Sequence, residues 1–197
     1  MEYIIVVLLS YIVGSSSMSY YISKMKGINM KQNGSKNLGA SNTVVLVGWK
    51  AGILVAVHDV LKGALAVMAA RYFYPDLALI APLAGVACVL GHIFPFYLKF
   101  DGGKGFASYV GMTLALNWKL GLAIIIVAAI ITIVTDYIVC GTMTTVAVVP
   151  AYFAFATQDY LMVCVLLVAS LVMVYKHREN FVRIMNGTEI GLRKVRK

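Results

Sequence analysis

The sequence predicts an all-α, polytopic membrane protein, a seven-helix bundle, and three observations carry that expectation. Hydrophobic residues make up 61% of the 197-residue chain and charged residues only 13%, where an ordinary soluble domain is about 25% charged. Mean hydropathy is +0.86. The apolar residues fall in long runs separated by polar islands, and in hydrocarbon such runs must be helices, because each backbone N–H and C=O has to be satisfied within its own segment.

A crossing helix needs roughly 20 apolar residues, which places helices near residues 3–23, 48–73, 77–98, 106–116, 120–139, 142–157 and 160–175. The first run opens Met-Glu-Tyr, without a basic lead or a clear small-residue cleavage site, and is read as a retained span rather than a signal peptide. The fourth run is too short to cross unaided, so five full spans plus a re-entrant pair is an alternative arrangement. Either count is odd and puts the termini on opposite sides. Without an internal repeat or a low-complexity stretch, residues 1–197 read as one domain.

Orientation follows from the basic residues, since short cytoplasmic loops are enriched in Lys and Arg. Lys24, Lys26, Lys31, Lys36 and Lys50 belong to the first polar loop and its edge, and Lys99 and Lys104 to the second. The tail holds Lys176, Arg178, Arg183, Arg193, Lys194, Arg196 and Lys197, which brings the sum to 14 of the 17 basic residues. These loops and the C-terminus are expected in the cytoplasm, with the N-terminus outside. The net charge of +9 fits this topology and attraction to anionic lipid. No nucleic-acid motif accompanies it. Cys88, Cys140 and Cys164 show no paired spacing, so neither a metal, a cofactor nor a disulfide is expected.

Three islands remain: GSKNLGASN (34–42), GHIFPFYLKFDGGKG (91–105) and HRENFVRIMNGTE (177–189). Each combines Lys, Arg, His or Asn with Gly, Ser or Thr, a composition suited to holding phosphate oxygens through side chains and bare backbone N–H groups. Each alone has a plainer reading. Gly102-Gly103-Lys104-Gly105 can be an interfacial turn, the 34–42 stretch can be capping chemistry at a helix start, and the tail can be an amphipathic helix on lipid with Phe181, Ile184 and Met185 as its apolar stripe. Their conjunction on one face points to a membrane protein handling a phosphorylated substrate.

In this order and spacing the three islands resemble the motifs of the bacterial membrane glycerol-3-phosphate acyltransferases that use acyl phosphate, the PlsY family. The similarity continues through Asp59-Val60-Leu61-Lys62-Gly63. The resemblance implies a seven-helix fold in the bacterial cytoplasmic membrane and transfer of a fatty acyl group from acyl phosphate to glycerol 3-phosphate, giving lysophosphatidic acid and phosphate. It implies Lys104, Ser35, His177 and Asn180 as catalytic residues, and Asn37, Gly39, Asn42, Gly102, Gly103, Thr142 and Glu189 as substrate-binding ones. Direct transfer is implied, with substrate phosphate taking the proton and His177 as a less favoured base. Membrane lipids and a soluble enzyme that makes acyl phosphate would be further partners.

Against the family pattern, Val45 stands at a usual Arg, Asp101 at a usual Lys, Asp136 at a commonly basic position and Val139 at a commonly Ser one. Such changes would weaken a phosphate site, since a charge-assisted contact contributes roughly 1.5–3 kcal/mol. They leave open a substrate-shifted or inactive paralog that binds lipid or acyl phosphate. An anion transporter is a further alternative, with Asp59 and Lys62 as its intramembrane charges. Their i, i+3 spacing instead allows a neutralising pair, and neither a repeat nor multiple midplane charges support transport.

Overall fold

The computed structural model describes residues 1–195; Arg196 and Lys197, counted above with the basic tail, lie outside the described residues. Every regular element among the described residues is helical. The chain forms two compact units, Met1–Leu116 and Asn117–Lys197.

The first unit contains α1 (Glu2–Ser15), α2 (Met18–Lys26), α3 (Ala40–Val47), α4 (Trp49–Phe73), α5 (Ile80–Ile93) and α6 (Phe106–Leu116). Helix α5 is its centre, with 12 of 14 residues buried. Glycines set the closest approaches. A Cβ on Gly14 would strike the Cys88 carbonyl and one on Gly91 that of Tyr11, joining α1 to α5; Gly63 and Gly111 do the same for α4 and α6 against Ser108 and Val60. Small residues serve here because lipid gives helices no hydrophobic drive to associate, so backbone proximity must supply the contact energy. On the outer faces, Ile4, Leu8 and Ile12 of α1 and Ile53, Val57, Leu61 and Leu65 of α4 recur every four residues and are exposed, the apolar stripe of a helix that faces lipid.

The second unit contains α7 (Trp118–Thr135), α8 (Ile138–Thr157), α9 (Tyr160–Lys176), α10 (Arg178–Met185) and the short α11 (Leu192–Val195). Six stretches among the described residues are long and apolar enough to cross a membrane, and α6 is a shorter apolar helix. Together they account for the seven segments expected.

The boundaries differ in three places. The first span is not one helix, because it breaks at Ser16 and Ser17, where the Ser17 hydroxyl caps α2 by accepting from the Tyr20 N–H. The carbonyls freed at the break are satisfied from elsewhere in the unit: the Tyr97 hydroxyl donates to Ser15 O at 2.8 Å and the Lys62 ammonium to Ser16 O at 2.7 Å. Second, the helix start allowed for in the first island is there, but it opens a separate short helix, α3 from Ala40, ahead of the span expected from residue 48. Third, α7 stops at Thr135 and α8 starts at Ile138, several residues before the expected junction, because Asp136 adopts a left-handed conformation at φ 73°. Of the three basic residues outside the polar loops and the tail, Lys62 is buried, Arg71 donates to the Ala115 and Leu116 carbonyls that end α6, and Lys119 lies over the Trp118 ring.

Candidate active site

In the first unit, the first two islands meet. Asn42, at the start of α3, is fully buried, and its amide organises the loop before it. Its Nδ2 donates to the carbonyls of Met30, Asn33 and Asn37 at 3.0, 3.2 and 2.9 Å, while its Oδ1 accepts from the Ser35 N–H at 2.8 Å. One side chain thus folds a stretch that includes two left-handed residues, Gly34 and Lys36. Ser35 and Asn37 sit half-buried on the surface of this loop, beside Gly39 at the N-terminus of α3.

The second island leaves α5, passes a single 3-10 turn at Phe96–Leu98 and returns along the end of the helix. The Gly102 N–H donates to Ile93 O at 2.9 Å and the Gly103 N–H to His92 O at 3.1 Å. Both glycines are buried, and a Cβ on Gly103 would overlap the His92 Nε2 and sit 2.6 Å from Leu38 O. Glycine is required at 103 for room, not for an unusual φ. Lys104 follows, half-buried, carried by this pinned loop. Asp101 forms an ion pair with Lys31 at 3.0 Å, so the acidic residue in the second island is matched by a cation from the loop of the first.

Beneath the 102–104 loop lies a cluster to which the sequence reading gave no part in the site. Lys62 Nζ is 2.9 Å from Asp59 Oδ1, 2.9 Å from His92 Nδ1 and 2.7 Å from Ser16 O. The expected i, i+3 pair forms, and two further ligands complete it. His58 bridges the same groups at its two ring nitrogens, Nδ1 to Asp59 Oδ1 and Nε2 to Ser16 Oγ, both at 3.2 Å.

In the second unit, His177 ends α9 and begins α10. Its Nδ1 lies 2.7 Å from Met173 O; a carbonyl only accepts, so the proton is on Nδ1 and the ring is fixed with Nε2 as its other functional atom. Asn180, one turn on and also buried, donates from Nδ2 to Glu189 Oε1 at 2.6 Å, and Arg183 Nε donates to Glu189 Oε2 at 2.6 Å. Glu189 therefore has both carboxylate oxygens engaged by protein, and it orients Asn180. Thr142 is buried in α8 with its hydroxyl donated to Ile138 O at 3.1 Å. Asn42, Thr142 and Glu189 thus hold protein groups through the side chains that the sequence suggested would meet substrate. Asp136 clasps the tail: its carbonyl accepts from the Leu192 N–H and its Oδ1 from the Arg193 N–H, each at 2.8 Å.

His92 and Arg183 lie within the islands but were given no role from the sequence, and His58 was passed over. Two histidines within apolar spans, and the Ser-Ser-Ser run at 15–17, were the available signals. Among the described residues no cluster of His, Cys, Asp and Glu is arranged to hold a metal.

A family model described as glycerol-3-phosphate acyltransferase matches residues 4–187. A glycerol-3-phosphate acyltransferase of Oceanobacillus iheyensis is 37% identical over 201 residues, covering 98% of this chain and 96% of its own length. One from Wolbachia sp. subsp. Brugia malayi is 38% identical over 191 residues, covering 96% and 98%. Among solved structures, the integral membrane glycerol 3-phosphate acyltransferase PlsY in its glycerol 3-phosphate form superimposes with a TM-score of 0.91 at 28% identity, over 98% of this chain and 96% of that one. Its lysophosphatidic acid form gives 0.85 at 27%, over 97% and 95%.

Proposed function

This chain belongs to the glycerol-3-phosphate acyltransferase family, and on that premise we propose that it moves a fatty acyl group from an acyl phosphate to a hydroxyl of glycerol 3-phosphate. The acyl carbon to phosphate oxygen bond breaks, an ester forms, and the hydroxyl proton leaves on the released phosphate. Lysophosphatidic acid is the second product. The observation that carries this reading is the 102–104 loop, whose glycine N–H groups are fixed on the end of α5 so that Lys104 is presented from a rigid backbone.

An acyl phosphate is already activated, so the protein has little covalent work. Positioning and charge stabilisation suffice. Lys104 is the cation that meets a substrate phosphate; the Gly102 and Gly103 N–H groups, expected from the sequence to meet phosphate themselves, are spent on Ile93 O and His92 O and serve to position it. Ser35, Asn37 and Gly39 supply donors from the first island, held in register by Asn42. His177 and Asn180 orient substrate hydroxyl and phosphate, with Glu189 fixing Asn180 and Thr142 supporting α8. The whole chain acts as one acyltransferase domain of the bacterial cytoplasmic membrane, its N-terminus outside and its islands and C-terminus inside. A soluble enzyme that makes acyl phosphate would supply the donor.

The test is donor choice. Purified protein with glycerol 3-phosphate should form lysophosphatidic acid and release phosphate from palmitoyl phosphate. Equal or faster product from palmitoyl-coenzyme A would overturn the donor assignment.

A further inference from the structure

The cluster under the loop is out of proportion to the task of neutralising one buried charge. Asp59 and Lys62 already compensate each other one turn apart, and replacing a buried ion pair by apolar residues of similar size is often neutral or stabilising. Lys62 nevertheless uses its three protons on three different groups: Asp59 on its own helix, the Ser16 carbonyl at the break between α1 and α2, and His92 Nδ1 on α5. An ammonium proton on Nδ1 leaves the imidazole's own proton on Nε2 and fixes the plane of the ring. That Nε2 edge is the wall against which Gly103 rests, and the His92 carbonyl is the acceptor for the Gly103 N–H.

We infer that Lys62, Asp59 and His92 form a positioning network for the acyltransferase reaction, in which the buried ammonium locks His92 and His92 in turn sets the backbone of the 102–104 loop that presents Lys104. The network does not touch substrate. It acts through the loop, and the inference rests on the reading of that loop as a phosphate holder. Replacement of both charges separates this role from simple neutralisation. If Asp59 and Lys62 only cancel each other for insertion, the Asp59→Leu, Lys62→Met double variant keeps normal kinetics. If they position the loop, the double variant folds but His92 has lost its donor.

The experiment uses the full chain purified in detergent, with thermal unfolding and initial rates against each substrate. Lys104→Ala is measured first, to identify the substrate whose KM depends on the loop. The double variant, which leaves the Ser16 carbonyl without its Lys62 donor, is expected to unfold somewhat below the parent temperature while staying folded at the assay temperature, and to raise that same KM by about tenfold, with the other KM unchanged. Combined with Lys104→Ala it should add less than about twofold, because both changes act on one element. Parent-like kinetics in the folded double variant, or fully additive losses in the triple, would overturn the inference. Should the double variant fail to fold, His92→Asn decides: it keeps an acceptor near Lys62 but removes the ring edge at Gly103, and the expected KM rise is the same. Unchanged kinetics there also overturn it. A folded Lys104→Ala protein with normal activity would instead sink the phosphate-loop reading itself.

Discussion

Gly103→Ala puts the geometry of the second island to a direct test. The backbone at 103 is not in the left-handed region, so alanine is conformationally allowed and the whole effect must come from the added methyl. That methyl would enter the space occupied by the His92 Nε2 edge and lie 2.6 Å from Leu38 O. Neither neighbour yields easily: Leu38 O is backbone, and the His92 ring is held by Lys62 at 2.9 Å. The loop itself must therefore move. Overpacking of this kind costs about 1–3 kcal/mol, and if it appears as displacement of Lys104 it lowers kcat/KM by roughly fivefold to 150-fold. The assay is phosphate release from palmitoyl phosphate with glycerol 3-phosphate, alongside thermal unfolding. Gly27→Ala is the control: its φ is +65° and nothing lies within 4 Å of the new Cβ, so it strains the backbone at the end of α2 without touching the loop and leaves the kinetics unchanged. Parent-like kcat/KM in a folded Gly103→Ala protein would refute the reasoning.

Lys104→Ala should lower activity about a hundredfold, equivalent to about 2.7 kcal/mol, without unfolding the protein; normal activity would discard the site. Single cysteines introduced in a background lacking the native ones should be labelled from outside the cell at Asn117 and not at Lys104, and outside labelling at Lys104 would reverse the topology. Asp136→Ala removes the acceptor of the Arg193 N–H and places a poorer residue at φ 73°, a local loss of about 1–2 kcal/mol. Proteolysis beside Gly191 should then quicken roughly fivefold to 30-fold, and an unchanged cleavage rate would mean that the clasp contributes nothing.

The spans were legible because their signal is local: a long apolar run has one solution in lipid, and α4, expected at 48–73, forms as Trp49–Phe73. The break at Ser16 and Ser17 was not, since its freed carbonyls are satisfied by Lys62 and Tyr97, which are 46 and 82 positions away. Sequence carries the donors but not their arrival. The early end of α7 has the same origin. A left-handed aspartate inside an apolar stretch is held by N–H groups of residues 192 and 193, and nothing near Asp136 announces them. At the site, composition picked out the residues of the three islands but not their division of labour. Asn42 looks like another donor for substrate until its four hydrogen bonds to loop backbone are seen, and Gly103 looks like an interfacial turn or a bare N–H for phosphate until the His92 ring behind it and the acceptor of its N–H are placed.

The three ligands of Lys62 also impose an order on biogenesis. A chain made from its N-terminus offers the Ser16 carbonyl first, then Asp59 and Lys62 together, and His92 only when a further span has followed. When α4 enters the membrane its lysine can already be neutralised by its own helix, which eases a step that would otherwise cost about 2.5–3.5 kcal/mol for an isolated charge. One proton of that lysine then waits for α5. Its capture closes a clasp across three consecutive spans, so a chain interrupted before His92 would carry an incomplete polar centre in hydrocarbon.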